Sequence, residues 1–352
     1  MTHKIALIGF GNVGQGVVRL IKEKESLLKQ VYQSEFEVVS ISDLHKGSLH
    51  CENGLNIDDV LHSIKQNGTL HYYPDHEGLV RGLSSEDTIK KTNADTIVEM
   101  TYTNVHTGQP AIDHCKLAFN HKRHVVMTNK GPVALAKQEL EALAKENGVT
   151  IFYEGAVMSG TPAIRMPKMT LSGNEFLSVK GILNGTTNYI LTQMENGSAY
   201  EEALSSAQEL GYAEADPTSD VGGFDVLYKV LILASELFGV SLKKEEVPCV
   251  GISEITQADI KQAKAEGKRW KLIGAIEKTE SGVEAYVRPL KLPLSDPLSS
   301  ISGATNAITY DCDVSGPITL VGAGAGIKET AFAVLIDLLH LNKKLRWTVE
   351  EG

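Results

Sequence analysis

The N-terminal glycine pattern constrains the fold more than any other feature. Residues 4–9 read KIALIG, a short apolar run of strand character. Gly9, Gly11 and Gly14 then fit G-x-G-x-x-G before Val17-Val18-Arg19-Leu20-Ile21 takes on helical spacing. A strand that turns tightly on glycine into a helix brings backbone close to a pyrophosphate. The helix N-terminus then supplies amide donors and the positive end of its dipole. Gly9, Phe10, Gly11, Asn12, Val13 and Gly14 are therefore the expected dinucleotide contacts. A glycine-rich turn without a ligand is the plain alternative. Its place after a strand, before a helix and at the head of an alternating region favours the cofactor.

That alternation continues. Strand-like runs cover 36–42 (ending at Asp43), 96–100 (ending at Thr101), 124–127 (stopping at Thr128-Asn129-Lys130) and 149–153 (ending at Glu154), with a helix over 135–145. Strands alternating with helices imply right-handed βαβ units and a mostly parallel sheet. Asp43 stands where an acidic residue would bind the adenosine ribose. A carboxylate there favours NAD over NADP by repelling the extra phosphate, while His45 and Lys46 offset part of that repulsion. Its distance from Gly14 exceeds the usual ~20 residues, so a simple turn residue is the second reading. Residues 47–87, rich in His, Asn and Gly, read as an insertion making a surface excursion between the second and third strands.

From about Thr161 the pattern changes. A strand over 177–183 leads through Asn184-Gly185-Thr186-Thr187-Asn188 into a helix over 189–195. An apolar helix covers 224–238, three strands cover 270–276, 282–287 and 307–310, and Gly322 to Gly326 precede an apolar helix over 330–341. The expected fold class is α/β: a Rossmann-type parallel sheet, an α+β second domain, and a C-terminal helix returning to the first. The expected boundaries are 1–153, 154–310 and 311–352.

Composition narrows the function classes. With 34 Lys+Arg against 44 Asp+Glu the net charge is −10, and no basic stripe for nucleic acid is present. No run approaches the ~20 apolar residues of a membrane span. Cys51, Cys115, Cys249 and Cys312 are scattered, which suits a reducing cytosol and gives neither a disulfide framework nor a zinc site. A cytoplasmic location is expected. Histidine pairs such as His71 with His76, or His106 with His114, match no metal-site spacing and read as surface residues.

Two polar stretches of the second domain carry chemistry. Glu214, Asp216 and Asp220 fall in one short loop ahead of the helix that holds Asp225 and Lys229. Four residues apart, Asp225 and Lys229 share a helical face and can pair. Neighbours Val226, Leu227, Val230, Leu231 and Ile232 imply partial burial, where a lysine beside carboxylates can shuttle protons. A solvated loop with a surface ion pair is the competing reading. The run Asn184 to Asn188 is either a turn with an N-cap or the lining of a pocket for a small polar substrate.

These stretches together resemble homoserine dehydrogenase. The resemblance rests on Gly181 to Leu191, Leu210 to Pro217, Asp220, Asp225 and Lys229, the glycine loop, Thr128-Asn129-Lys130, Tyr153-Glu154 with Gly160-Thr161-Pro162, and Gly322 to Gly326, in the family's order. It implies reversible reduction of L-aspartate 4-semialdehyde to L-homoserine with NAD or NADP, in threonine and methionine synthesis. Lys229 matches the proton donor/acceptor, Asp225 the carboxylate that orients it, Lys130 a second active-site lysine and Asp220 a further carboxylate. Glu214 matches a substrate-binding residue, with Gly211 beside it and Asn184 and Thr186 in the stretch Gly181 to Leu191, the family's signature. Thr101, Lys130 and Gly326 match cofactor contacts.

The family also implies a monovalent cation such as sodium, held mainly by backbone carbonyls at Glu154, Val157, Ser159 and Thr161. A homodimer joined through the second domain's sheet is implied as well. Two departures stand out. With residues 342–352 alone after the last helix, feedback through an appended sensing domain is not expected, and the turn from Glu154 to Gly160 holds fewer glycines than the common family version. The alternatives are a related amino-acid semialdehyde dehydrogenase and a non-catalytic NAD(P)-sensing regulator. The Asn-Gly-Thr-Thr-Asn run and Glu214 speak against the first, and the two lysines against the second.

Overall fold

The computed structural model describes residues 2–102, 104 and 107–350, the side chains of 344–350 excepted, and these residues form twelve strands in two sheets. The chain divides into two compact units, Met1–Ala156 with Gly326–Gly352, and Val157–Ala325.

In the first unit the strands are β1 (Thr2–Ile8), β2 (Glu35–Asp43), β3 (Gly47–His50), β4 (Val80–Arg81), β5 (Thr96–Glu99), β6 (His124–Met127) and β7 (Ile151–Phe152). They form one 7-stranded sheet in the order β4-β3-β2-β1-β5-β6-β7. β1 pairs in parallel with both β2 and β5, and its residues Ile5 to Ile8 are fully buried. A central parallel strand covered on both faces needs such a run. The chain leaves β1 toward β2 on one side and reaches β5 on the other, which makes the carboxyl end of β1 a switch point, where α/β sheets bind ligands. Gly9, Asp43, Thr101 and Lys130 all lie at carboxyl ends of this sheet's strands, after β1, β2, β5 and β6.

The C-terminal helix is longer than its sequence pattern suggests, spanning Ile327–Glu350, and it returns to this unit as expected. Its Ala331, Val334, Leu335, Leu338 and Leu341 join one buried cluster with Val17, Val18, Leu20 and Ile21 of the helix Asn12–Glu23. Gly16 permits the approach, since a Cβ there would lie 3.0 Å from Ile327 Cγ2 and 3.2 Å from Ala331 Cβ.

Two expectations are corrected here. Residues 47–87 are not a surface excursion. β3 and β4 extend the sheet edge by antiparallel pairing, and Leu49, Cys51, Leu55, Val60, Leu70 and Tyr73 belong to the core. Strands of four and two residues are too short to show a period, which is why the pattern looked weak. Nor are the histidines uniformly at the surface: His3, His50 and His114 are buried, whereas His71 and His76 are exposed. Each buried ring has a polar partner, Thr96 Oγ1 for His3, Ser40 Oγ for His50 and Glu99 for His114. His106 lies outside the described residues.

The second unit carries β8 (Phe176–Ile182), β9 (Lys268–Thr279), β10 (Gly282–Pro293), β11 (Thr305–Cys312) and β12 (Gly316–Ala323). All neighbours are antiparallel, in the order β10-β9-β8-β11-β12. β12 escapes sequence reading because its residues are half-buried or exposed and it is bracketed by glycine and proline. The helix Phe224–Leu237 is buried from Val226 through Ala234. It settles onto β9 at Gly274, where a Cβ would lie 2.7 Å from Val226 Cγ1 and 2.8 Å from Val230 Cγ2. Each such valine or leucine contributes about 1.5–3 kcal/mol by leaving water, so this helix is a fixed mount for Asp225 and Lys229.

Candidate active site

In the first unit the candidate site is the glycine loop. Gly9 has φ +92, and a Cβ there would lie 2.7 Å from the Met100 carbonyl carbon and oxygen. Only glycine fits that turn. A Cβ on Gly14 would meet Gly9 O at 2.7 Å, so the third glycine closes helix against strand, while Gly11 faces open space with nothing within 4 Å. Asn12 and Val13 begin the helix Asn12–Glu23, whose N-cap Gly11 supplies no side-chain cap. Uncapped amides beside a glycine facing open space fit a pyrophosphate.

Asp43 is more engaged than its proposed role requires. Its Oδ2 accepts from Phe10 N at 2.8 Å, and its Oδ1 accepts from His45 N at 3.0 Å and Lys46 N at 2.9 Å. Burial alone would raise this carboxyl. The three amides and the Lys46 charge outweigh it and hold the group below its ordinary value. The side chain therefore ties the glycine loop to the turn after β2.

Beyond β5, Thr101 donates its hydroxyl to Glu99 Oε1, which also accepts from Thr101 N. Asn129 caps the helix Lys130–Glu146 by accepting from Gly131 N, and its Nδ2 donates to Thr101 O and Tyr102 O. Half-buried Lys130 is the first residue of that helix. Gly326, with φ +135, precedes the last helix and accepts from Thr330 N and Oγ1.

The second unit brings together Asn184, Asp220, Asp225 and Lys229. Asn184 caps the helix Gly185–Glu195 with Oδ1, which accepts from Thr187 N at 2.8 Å. Its Nδ2 donates to Asp220 Oδ1 at 2.7 Å and Asp225 Oδ2 at 2.9 Å. Lys229 Nζ donates to Asp225 Oδ2 at 2.6 Å and to Leu183 O at 2.5 Å. The lysine side chain is 7% exposed and the Asp225 side chain 15%. Asp225 and Lys229 thus form a half-buried ion pair held by an amide, not the solvated surface pair of the competing reading.

Glu214 is exposed, and its carboxylate makes no hydrogen bond or ion pair among the described residues. Gly211, φ +74, lies three positions before it on an exposed turn. Thr186 Oγ1 donates to Tyr212 O at 2.6 Å, which anchors that loop to the signature helix.

Glu154, Val157, Ser159 and Thr161 are all buried. Met158 and Ser159 adopt φ +56 and +53 without being glycine, a conformation costing ~1 kcal/mol or more per residue. No group of three His, Cys, Asp or Glu residues suited to a metal occurs among the described residues.

Sequence reading missed three buried polar residues. Glu99 ends β5 with Oε1 holding Thr101 while its Oε2 has no partner among the described residues. Lys271 on β9 is 0% exposed and donates to Asn188 Oδ1 and Ile301 O. Asn306 on β11 is 0% exposed, and neither amide atom is hydrogen-bonded among the described residues. No sequence signal marks them: Lys268 and Arg269 precede Lys271 on the same strand, and its acceptors Asn188 and Ile301 come from other parts of the chain.

The homoserine dehydrogenase family model matches residues 162–339. The chain is 44% identical over 342 residues to the NAD(+)-dependent homoserine dehydrogenase of Pseudomonas canavaninivorans, covering 97% of this chain and 96% of that one. It is 41% identical over 340 residues to the homoserine dehydrogenase of Methanocaldococcus jannaschii, covering 96% and 98%. Among solved structures, a hyperthermophilic archaeal homoserine dehydrogenase in complex with NADPH superposes with TM-score 0.83 at 30% identity, covering 98% of each chain. A homoserine dehydrogenase from Thiobacillus denitrificans gives TM-score 0.83 at 31% identity, covering 97% of this chain and 73% of that one.

Proposed function

The chain belongs to the homoserine dehydrogenase family, and on that premise we propose how its two units divide the reaction. The reaction is the reversible NAD(P)-dependent reduction of L-aspartate 4-semialdehyde to L-homoserine, an amino-acid biosynthetic step. The nicotinamide supplies the hydride, and the proton that the alkoxide needs is assigned to the chain.

The first unit holds the dinucleotide. Gly9 to Gly14 cradle its pyrophosphate, Asp43 fixes the turn beside the adenosine ribose and favours NAD, and Thr101, Lys130 and Gly326 contact the remainder. The second unit holds the substrate. Lys229 gives its proton to the alkoxide oxygen as the hydride adds to the aldehyde carbon, and takes it back from the hydroxyl in the reverse direction. Asp225 aims Nζ, and Asn184 with Asp220 holds Asp225 in place. Exposed Glu214, beside Gly211, receives the substrate ammonium. The observation that carries this division is the Lys229 ammonium fixed at 2.5–2.6 Å between Leu183 O and Asp225.

Three finer points belong to the same reading. A monovalent cation, sodium by chemistry, is held by backbone oxygens at Glu154, Val157, Ser159 and Thr161. The left-handed Met158 and Ser159 support it, since such strain persists where the surroundings or a ligand enforce it. The chain forms a homodimer through the second unit's sheet and works in the cytoplasm.

The test is a matched assay of purified protein with L-homoserine and either NAD or NADP, in sodium or potassium buffer, following the reduced nicotinamide. Homoserine-dependent turnover with a higher kcat/KM for NAD is expected. Silence with both cofactors, while fluorescence titration shows that they bind, would overturn the substrate assignment.

A further inference from the structure

The signature's own polar side chains are already engaged. Asn184 directs its Nδ2 protons to Asp220 and Asp225, and its Oδ1 accepts from both Thr187 N and Thr187 Oγ1. Thr186 donates to Tyr212 O, and Asn188 is held by Ile301 O, Thr305 O and Lys271.

Asn306 differs. It lies on β11 one residue before the pairing of Ala307 with Ile182 of β8, against Gly185 at the start of the helix Gly185–Glu195, fully buried, with donor and acceptor both unmatched among the described residues. Two glycines lie against its amide: a Cβ on Gly185 would come 3.4 Å from Oδ1, and one on Gly324 2.0 Å from Nδ2. A buried amide without partners is costly, and natural folds retain few. The Gly324 backbone lies against its Nδ2, and Gly322 is its pairing partner on β12.

We propose that Asn306 recognises the α-amino-acid head group of the substrate. An amide is suited to that zwitterion, because Nδ2 donates to a carboxylate while Oδ1 accepts from an ammonium. Glu214 then shares the ammonium, and Asn306 alone among these side chains meets the carboxylate. This assignment rests on the homoserine reading above.

Asn306→Leu keeps the volume and removes both groups. It should raise the KM for L-homoserine about 10- to 100-fold, as loss of hydrogen bonds to charged groups does, while kcat falls much less and the KM for NAD stays constant. Its Tm should not fall, since an unmatched amide is replaced by a hydrocarbon. An unchanged homoserine KM in a folded Asn306→Leu overturns the proposal and leaves the homoserine reading intact. Wild-type protein inert toward homoserine removes that reading first. Should Asn306→Leu fail to fold, Asn306→Asp decides. Its added charge faces the substrate carboxylate, so it should penalise L-homoserine more than L-homoserine amide. Equal penalties would show that Asn306 does not meet the carboxylate.

Discussion

Lys229 and Lys271 occupy the same unit, are buried almost equally at 5% and 0% exposed, and are bonded alike. Each Nζ donates to a backbone carbonyl, Leu183 O at 2.5 Å and Ile301 O at 2.6 Å. The second acceptor separates them. For Lys229 it is the Asp225 carboxylate at 2.6 Å, and for Lys271 the neutral Asn188 Oδ1 at 3.1 Å. Burial lowers Lys271 to about 8, with Glu195 opposing the fall and Arg269 adding to it. Burial also pushes Glu195 up. Burial alone therefore does not make a proton carrier. A contacting carboxylate that aims the ammonium does, and a neutral amide leaves a strut that ties the signature helix to β9.

Removing the carrier should have the largest effect. Lys229→Met retains the stem and deletes the proton, and kcat is expected to drop by about 10²–10⁴, the usual range for a general acid–base group. The Kd for NAD, read by fluorescence, should not move, because the glycine loop lies in the other unit. Turnover close to wild type would remove the distinction between the two lysines.

Removing the strut should act on stability instead. The native Lys271 is neutral above about pH 8 and the unfolded one is charged up to its ordinary value of 10.5. Between those values the unfolded chain binds the extra proton, so stability rises with pH. Below pH 8 both forms are charged and the full burial penalty is present. Over the interval the gain is roughly 3 kcal/mol. Lys271→Met should abolish that rise in denaturant midpoints measured from pH 7.5 to 10.5 while turnover persists. A slope that survives the substitution belongs to another group.

The two lysines were also unequally legible. Asp225 and Lys229 are four residues apart on one helix, a spacing visible in the chain itself. Lys271 meets an asparagine 83 positions away, through a pairing that only the folded sheet creates. The same holds for the fold. β1, β2 and the glycine loop carry period and punctuation, so the parallel sheet could be read directly. β3, β4 and β12 are short, edge-placed or half-exposed, and tertiary pairing decided them. Asn306 was invisible for a related reason, because its singularity lies in the partners it lacks. Asp43 was found by position, yet its engagement with three backbone amides was not foreseeable from type and spacing.

The smallest effect comes from giving Lys271 the partner that Lys229 has. In Asn188→Asp the new carboxylate stands at the acceptor 3.1 Å from Nζ and favours the ammonium, raising Lys271 back toward its ordinary value. The interval in which folded and unfolded chains differ in protonation then narrows, and the alkaline rise in stability shrinks with it. The substitution also removes the two bonds from Asn188 Nδ2 to Ile301 O and Thr305 O, so stability should be lower at every pH. The slope, not the level, is the readout. Chemical denaturation at several pH values should give a flatter profile than wild type, by ~1 kcal/mol or more over the interval for each unit of restored pKa. An unchanged slope would mean that the neutral amide is not what sets Lys271 apart from Lys229.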